Sequence, residues 1–251
     1  MSMAIDYSKI SIGIVGYKGR MGQELLRVAD EKKLFTITDD DKWKLFNISD
    51  IVIDFSSADG FKECLQEVRR TGKPLVSGST PMNNELYNEM LDVSKKAKIC
   101  WSSNMSIGIA IVKKMSYMLG QMLSGEEYDC EILEKHHNQK LDAPSGTAKT
   151  IGQAVADGRG VNFGQNAVFG RNPQSEKRHV NEIGFSSIRG GNIFGEHDVM
   201  FIGQNDEITI SHKAFNRKLF AVGAMNCALK LLEKKENGFY SIEDLLITTD
   251  N

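Results

Sequence analysis

The chain has 251 residues, 41% of them hydrophobic and 25% charged, with 31 basic side chains against 33 acidic ones. That length provides one large core or two modest ones, and the near-balanced charge argues against a nucleic-acid surface. Four scattered cysteines (Cys64, Cys100, Cys130 and Cys227) form no Cys-x-x-Cys pair, residues 1–9 lack an apolar signal core, and no run reaches membrane-spanning length. The expectation is a cytoplasmic protein with reduced thiols, no membrane contact and no nucleic-acid partner.

Residues 9–15 form an isoleucine-rich run ending in Gly16-Tyr17-Lys18-Gly19-Arg20-Met21-Gly22, after which Met21, Leu25, Val28 and Ala29 share one helical face. Strand, glycine turn and helix are the context of a dinucleotide fingerprint, where glycines let the backbone approach a pyrophosphate at a helix N-terminus. Gly16, Tyr17, Lys18, Gly19, Arg20 and Met21 are therefore candidate cofactor contacts, with Arg20 placing positive charge beside the phosphates. The spacing is Gly-x-x-Gly-x-x-Gly, not Gly-x-Gly-x-x-Gly, and a tight turn without a ligand fits it too. Residues 34–38 predict a second strand, and Asp39 just after it is the candidate for the adenosine ribose hydroxyls, while Asp40 and Asp41 read as a solvated turn. A third strand over 50–55 follows so soon that the connection is expected to be shortened, with barely room for a helix.

Residues 58–70 have helical spacing at Phe61, Leu65 and Val68, closed by Gly72, and strand 73–76, helix 84–97 and strand 98–101 continue the alternation. The loops Gly78-Ser79-Thr80 and Ser102-Ser103-Asn104-Met105 fall where open α/β sheets bind ligands, although ordinary turn chemistry explains the serines equally well. The alternation stops near Met105. Residues 107–122 predict a long helix with Ile107, Ile111, Met115, Met118 and Met122 on one face, more suited to packing than to a cofactor box. Strand-like runs follow at 128–134, 183–189, 193–202 and 207–211, with 157–178 read as loop. The fold class is thus α/β: a Rossmann-like dinucleotide-binding domain (1–104 and 213–251, including a last helix over 219–235) plus an inserted α+β substrate and oligomerisation domain (105–212) with a mixed or antiparallel sheet. One uncovered face of that sheet would suit the pairing of subunits.

The densest chemistry lies in Glu134-Lys135-His136-His137-Asn138-Gln139-Lys140-Leu141-Asp142-Ala143-Pro144-Ser145-Gly146-Thr147. Ser145 is a good N-cap for the helical pattern at Ala148, Ile151, Ala154 and Val155, and the amides of Ser145, Gly146 and Thr147 make an anion site beside Lys140 and His137. An imidazole titrates near neutrality and a desolvated lysine can give a proton, so His136 and Lys140 are the candidate proton-transfer groups. A solvated surface loop would explain a lone histidine; a cap and three cationic groups converging favour a site for a carboxylate. Adjacent histidines do not aim both rings at one metal and no Cys or acid lies at ligand spacing, so no metal is expected.

From Glu134 to Ala148 the sequence resembles, at every fixed position, the signature Glu-x-His-His-x-x-Lys-x-Asp-Ala-Pro-Ser-Gly-Thr-Ala of the 4-hydroxy-tetrahydrodipicolinate reductases of lysine and diaminopimelate biosynthesis. The loop Gly16 to Gly22 and the element His212 to Arg217 resemble two further parts of that family. The resemblance implies an oxidoreductase that uses NAD(P)H to reduce 4-hydroxy-tetrahydrodipicolinate (dihydrodipicolinate), a cyclic imine dicarboxylate, to tetrahydrodipicolinate, and that assembles as a homotetramer. Hydride reaches ring C4 and C3 takes a proton. It further implies His136 and Lys140 in proton transfer; His137, Ser145, Gly146, Thr147 and Arg217 in holding carboxylates; and Gly78, Ser79, Thr80 and Ser102 to Met105 at the nicotinamide. Members that use NADPH well carry a base after the ribose acid. Here Asp40 and Asp41 follow Asp39, so NADH is expected over NADPH, with Lys42 and Lys44 nearby. Cofactor and substrate on different domains imply closure during turnover. An amino-acid dehydrogenase of similar layout would share the glycine loop without needing the Asp-Ala-Pro-Ser-Gly-Thr start, and a non-enzymatic NADH sensor would leave the paired histidines idle. Glu196, His197 and Asp198 read as strand residues, and His179 as solvated.

Overall fold

In the N-terminal half the apolar runs become parallel strands: β1 (Ser11–Val15), β2 (Phe35–Ile37), β3 (Ile51–Asp54), β4 (Leu75–Ser77) and β5 (Lys98–Trp101), joined late in the chain by β11 (Gly238–Tyr240). Their order is β11-β5-β4-β3-β1-β2, every pair parallel. The computed structural model describes residues 6–80, 82–171 and 177–247, and its chain divides into two units, Met1–Ile107 with Arg217–Asn251, and Gly108–Asn216.

The first unit holds this sheet. A parallel strand covered on both faces needs continuous apolar sequence, and β3 is buried at all its positions. The helices are α1 (Arg20–Glu31), α2 (Lys42–Ile48), α3 (Ala58–Thr71), α4 (Asn84–Ser94), α8 (Lys218–Glu233) and α9 (Ile242–Leu246). Helix α3 starts where the Ser57 hydroxyl accepts the Gly60 N–H and stops at Gly72, in the left-handed region at φ 68°. Its stripe of Phe61, Cys64, Leu65 and Val68 joins Phe46, Val52, Leu75 and Met90 in one core, each large side chain contributing about 1.5–3 kcal/mol by leaving water. The short link between β2 and β3 does hold a helix, of 7 residues, because the Asp41 carboxylate caps it by accepting the Lys44 N–H and Leu45 and Phe46 are buried. Since β1, β3, β4 and β5 run the same way, the turns that follow them emerge along one edge of the sheet.

The second unit contains β6 (Asp129–His136), β7 (Ala167–Phe169), β8 (Ile183–Arg189), β9 (Glu196–Ile202) and β10 (Glu207–Lys213), with α6 (Gly146–Arg159), α7 (Phe163–Asn166) and most of α5 (Ile107–Met122). The sheet is mixed, in the order β10-β9-β6-β8-β7: β6 pairs parallel with β8 and antiparallel with β9. Cys130, Ile132, Phe185, Val199 and Phe201 pack against Ile151 and Val155 of α6 in its core. The stretch read from sequence as loop carries the end of α6, then α7, capped by Asn162, and β7; residues 172–176 of it lie outside the described residues. No described helix is long and apolar enough to cross a membrane.

Candidate active site

Strand β6 alternates between exposed and buried positions, so Cys130, Ile132, Glu134 and His136 all point to the same buried face. Two apolar residues are thus followed by a carboxylate with no exposed surface and an imidazole only 9% exposed. His136 is the last residue of the strand, not part of the loop after it. A buried carboxylate must be paired, and the register supplies the partner, because β6 and β8 set His136 opposite Arg189. The Arg189 guanidinium forks onto Glu134, Nη1 to Oε2 at 2.8 Å and Nη2 to Oε1 at 2.7 Å. Nη2 also donates to the Asp142 carbonyl at 2.6 Å. On its other side Glu134 Oε2 lies 2.5 Å from His136 Nδ1, and Oε1 accepts the Ser145 N–H at 3.2 Å.

Burial opposes charge on Glu134, but the bonds from Arg189, Ser187 and His136 outweigh it and hold the carboxyl at about 2. For His136 burial lowers the pKa and Glu134 raises it, while Lys140 and Arg189 push it down again, and the balance falls below the ordinary imidazole value. The pair at neutral pH is a neutral imidazole donating Nδ1–H to an ionised carboxylate, which leaves Nε2 bare. Space beside Nε2 is kept by Gly195, where a Cβ would stand 3.1 Å from that nitrogen. His197, read from sequence only as a strand residue, is buried opposite Glu134 on β9. Its ring meets that of His136 edge to face at 5.2 Å, and its Nε2 lies 3.2 Å from Ser145 Oγ. Burial, reinforced by His136, takes His197 down to about 4 against the pull of Glu134.

The other residues of the motif gather around this pair. Ser145 caps α6, its hydroxyl accepting the Ala148 N–H. Lys140 Nζ pairs with Asp142 at 2.8 Å. Burial raises the Asp142 pKa, but Lys140 and the Gly146 N–H bring it below the usual carboxylate range. The amides predicted to form an anion site are therefore partly engaged within the chain: Ser145 gives its N–H to Glu134 and Gly146 to Asp142. Asp142 is thus the carboxylate that Lys140 and the Gly146 amide engage. His137 Nδ1 accepts the Gln139 N–H at 3.2 Å, and Thr147, in the first turn of α6, is half-buried. Arg217 belongs to the first unit, at the N-cap of α8.

Sequence reasoning gave no role to Glu134, Arg189 or His197. For Glu134 and His197 the signal was present: each occupies an apolar phase of its strand, beside Ile132 and Val199. Arg189 had none, since its approach to Glu134 follows from the β6–β8 register. Among the described residues no group of histidine, cysteine and acid side chains could hold a metal.

In the first unit, Gly16 has φ 77°, and a Cβ there would come within 2.7 Å of the Phe55 carbonyl oxygen; one on Gly22 would come within 2.3 Å of the Gly16 oxygen. Both contacts are with backbone, so glycine is required at each, and the backbone of the turn is drawn in tight against the N-terminus of α1, as a pyrophosphate cradle is. Tyr17 and Met21 are half-buried, while Lys18, Gly19 and Arg20 are exposed. Lys18 pairs with Asp40 at 2.5 Å and Lys44 with Asp39 at 2.7 Å, so two of the three aspartates hold lysines and the third caps α2. Gly78 and Thr80 lie at the end of β4 beside Ser79, whose hydroxyl turns inward. Ser102, Ser103 and Asn104 follow β5, the Ser102 hydroxyl donating to the Asn104 carbonyl, and Met105 is buried.

A glycine-turn parallel sheet in one unit and a carboxylate-held imidazole above a helix N-terminus in the other define a dinucleotide-dependent oxidoreductase. The family models for dihydrodipicolinate reductase match over residues 10–105 for its N-terminus and 108–246 for its C-terminus, and the chain belongs to that family. Proteins named 4-hydroxy-tetrahydrodipicolinate reductase are similar to it along nearly their whole length. One from Campylobacter lari is 40% identical over 94% of this chain and 99% of its own; one from Wolbachia pipientis is 36% identical over 95% and 100%. A solved structure described as dipicolinate-bound dihydrodipicolinate reductase from Paenisporosarcina sp. TG-14 superposes with a TM-score of 0.75, covering 94% of this chain and 99% of that one at 20% identity, a likeness of fold.

The histidine pKa shifts fix the sign of a pH effect. A histidine titrating at about 4 when folded and near ~6.5 when unfolded takes up its proton in the unfolded chain first. Its stabilising contribution is complete above the unfolded value and is lost as pH falls toward 4. Urea titrations are expected to show stability declining through that window, and His197→Gln to flatten the decline by up to about 3 kcal/mol. An unchanged pH dependence in His197→Gln would contradict the assignment.

Proposed function

We infer that the chain reduces 4-hydroxy-tetrahydrodipicolinate to tetrahydrodipicolinate with NAD(P)H, the reaction for which its relatives are named. The C4 hydroxyl leaves as water with a C3 proton, and the dehydrated ring then takes hydride at C4 and a proton at C3. The observation that carries this reading is the Arg189–Glu134–His136 array beside Lys140 and the start of α6, a site with a proton-transfer group and cations for a doubly acidic ring. The Gly16 to Met21 turn would hold the pyrophosphate, Asp39 the adenosine ribose, and the Gly78 to Thr80 and Ser102 to Met105 loops the nicotinamide half. The reduced nicotinamide, when bound, supplies hydride.

The residues of the second unit handle charge and proton. Lys140, His137, Ser145, Gly146 and Thr147 hold the substrate carboxylates, which displace Asp142 from Lys140 and the Gly146 amide; Arg217 is assigned to the same task. Two carboxylates arriving beside His136 offset the cations that lower its pKa, so the ring gains a proton at Nε2. Glu134, accepting from Nδ1, keeps that proton on the side away from itself. Delivery to ring C3 then completes the reduction, with Lys140 as the second proton-transfer group.

NADH is the preferred cofactor in this reading. The ammonium groups near the ribose position already face carboxylates, Lys44 with Asp39 and Lys18 with Asp40, and a 2′-phosphate would have to compete with both. The chain works in the cytoplasm as a homotetramer: its cysteines are free and buried, and Ile188 and Ile202, on the sheet face of the second unit opposite its buried core, are 46% and 37% exposed, an apolar surface that other copies would cover. Sedimentation reads the assembly directly, and a monomer would refute that part.

With enzymatically generated substrate and NADH absorbance as the readout, His136→Gln is expected to lower kcat by about 10²–10⁴-fold while KM moves far less, the mark of an interaction made in the transition state. Full activity in that variant would remove His136 from the mechanism. The same assay is expected to give kcat/KM roughly tenfold higher with NADH than with NADPH, and a strong NADPH preference would refute the cofactor assignment.

A further inference from the structure

The first unit buries a carboxylate of its own, and the proton chemistry does not use it. Asp54 ends β3 with no exposed surface. Its Oδ1 accepts the Ser56 N–H at 3.0 Å and the Ser56 hydroxyl at 2.5 Å, and its Oδ2 accepts the hydroxyls of Ser77 at 2.8 Å and Ser79 at 2.7 Å. The hydroxyls are linked to the backbone in turn, the Ser56 N–H reaching Ser79 Oγ at 2.9 Å and the Ser79 N–H reaching Ser77 Oγ at 3.2 Å. Burial raises the Asp54 pKa and the serine bonds draw it back, so the serine donors are what make a charge tolerable there.

Ser56 lies in the turn after β3, Ser77 ends β4 and Ser79 lies in the turn after it, so the serines span two successive turns of the sheet edge. Both turns touch further loops. The Phe55 carbonyl sets the 2.7 Å limit on a Cβ at Gly16, and the Phe55 ring sets one of 2.3 Å at Gly78. Trp101 Nε1 donates to the Ser79 carbonyl at 3.0 Å, and the Ser102 N–H to that of Ser77 at 3.2 Å. One carboxylate therefore joins the Phe55-Ser56 turn to the Gly78-Ser79 turn, and between them these two turns meet the glycine turn and the exit from β5.

We propose that Asp54 is a positioning residue for the dinucleotide: by gathering the Ser56, Ser77 and Ser79 hydroxyls beneath the sheet edge it holds the turns after β1, β3 and β4 as one rim. The inference rests on the reading that this edge binds NAD(P)H. It also assigns the Ser79 hydroxyl to the protein interior, so that this residue would meet a cofactor through its backbone. Removing the carboxylate loosens the rim and weakens dinucleotide binding, while the residues around His136 keep their own bonds.

The test is fluorescence titration of NADH into the full chain, the Asp54→Asn variant and the Ser77→Ala variant, together with steady-state kinetics. Asparagine keeps the shape but turns an N–H toward two hydroxyls that now donate. Asp54→Asn is expected to raise the NADH Kd about tenfold or more and Ser77→Ala, which deletes one hydrogen bond, about three- to tenfold, with KM for the dicarboxylate substrate changed less than about twofold. If Asp54→Asn does not fold, Ser77→Ala carries the test alone. An NADH Kd within twofold of the parent in the variants that fold, or a substrate KM rising in parallel, would overturn the proposal. Failure of the parent chain itself to bind NADH or NADPH would instead overturn the reading of this edge, and the proposal with it.

Discussion

Everything at the candidate site depends on one ionised carboxylate kept out of water. Glu134 has no exposed surface, and leaving such a charge unpaired by removing its partner costs about 3–5 kcal/mol. The forked bond from Arg189 meets that demand and has geometric consequences, because a planar guanidinium holding both oxygens fixes the plane of the carboxylate. A fixed carboxylate fixes the ring bonded to it, and so the nitrogen that His136 has available for chemistry. Through Oε1 the same group ties the Ser145 amide, and with it the start of α6, to the strand.

The two units solve the problem of a buried acid differently. Glu134 has a cation, which keeps it charged and holds its carboxyl at about 2. Asp54 has hydroxyls and an amide, which leave its pKa raised but tie the turn after β3 to the end of β4 and the turn that follows it. The first arrangement suits a group that must polarise an imidazole. The second suits one that organises backbone, since the hydroxyls of Ser56 and Ser79 belong to loops and that of Ser77 to the end of a strand, and all three turn toward one acceptor. Both acids occur at or near the C-terminal end of a strand, where the chain turns from ladder to loop and a side chain can govern the path of that loop.

The fold was largely legible because its signals are local. Apolar runs such as 51–54, the helical stripe of Phe61, Leu65 and Val68, and Gly72 in the left-handed region each say what they are within a few residues. Short elements were not. Helix α2 is too brief for a convincing period and is secured by the cap at Asp41, a residue that reads equally well as a solvated turn; β7 has only 3 residues and takes its form from pairing with β8. At the site, the histidines, Lys140 and the Ser145 cap stood out by residue type. The groups that orient them did not, because Arg189 lies 55 positions from Glu134 and meets it only through strand register. His197 is intermediate: its place in the buried phase of β9 is written in the alternation with Val199 and Phe201, but what it faces is decided by β6.

The most direct test of this account is the tautomer of His136, read from its two ring ¹⁵N shifts in the ligand-free protein at neutral pH. The account requires a protonated Nδ1, shifted by its bond to Glu134, and a bare Nε2, with the pattern scrambled in Arg189→Lys, where the fork is lost. A proton on Nε2 with Nδ1 bare, or shifts indifferent to Arg189, would show that the buried carboxylate does not orient the ring.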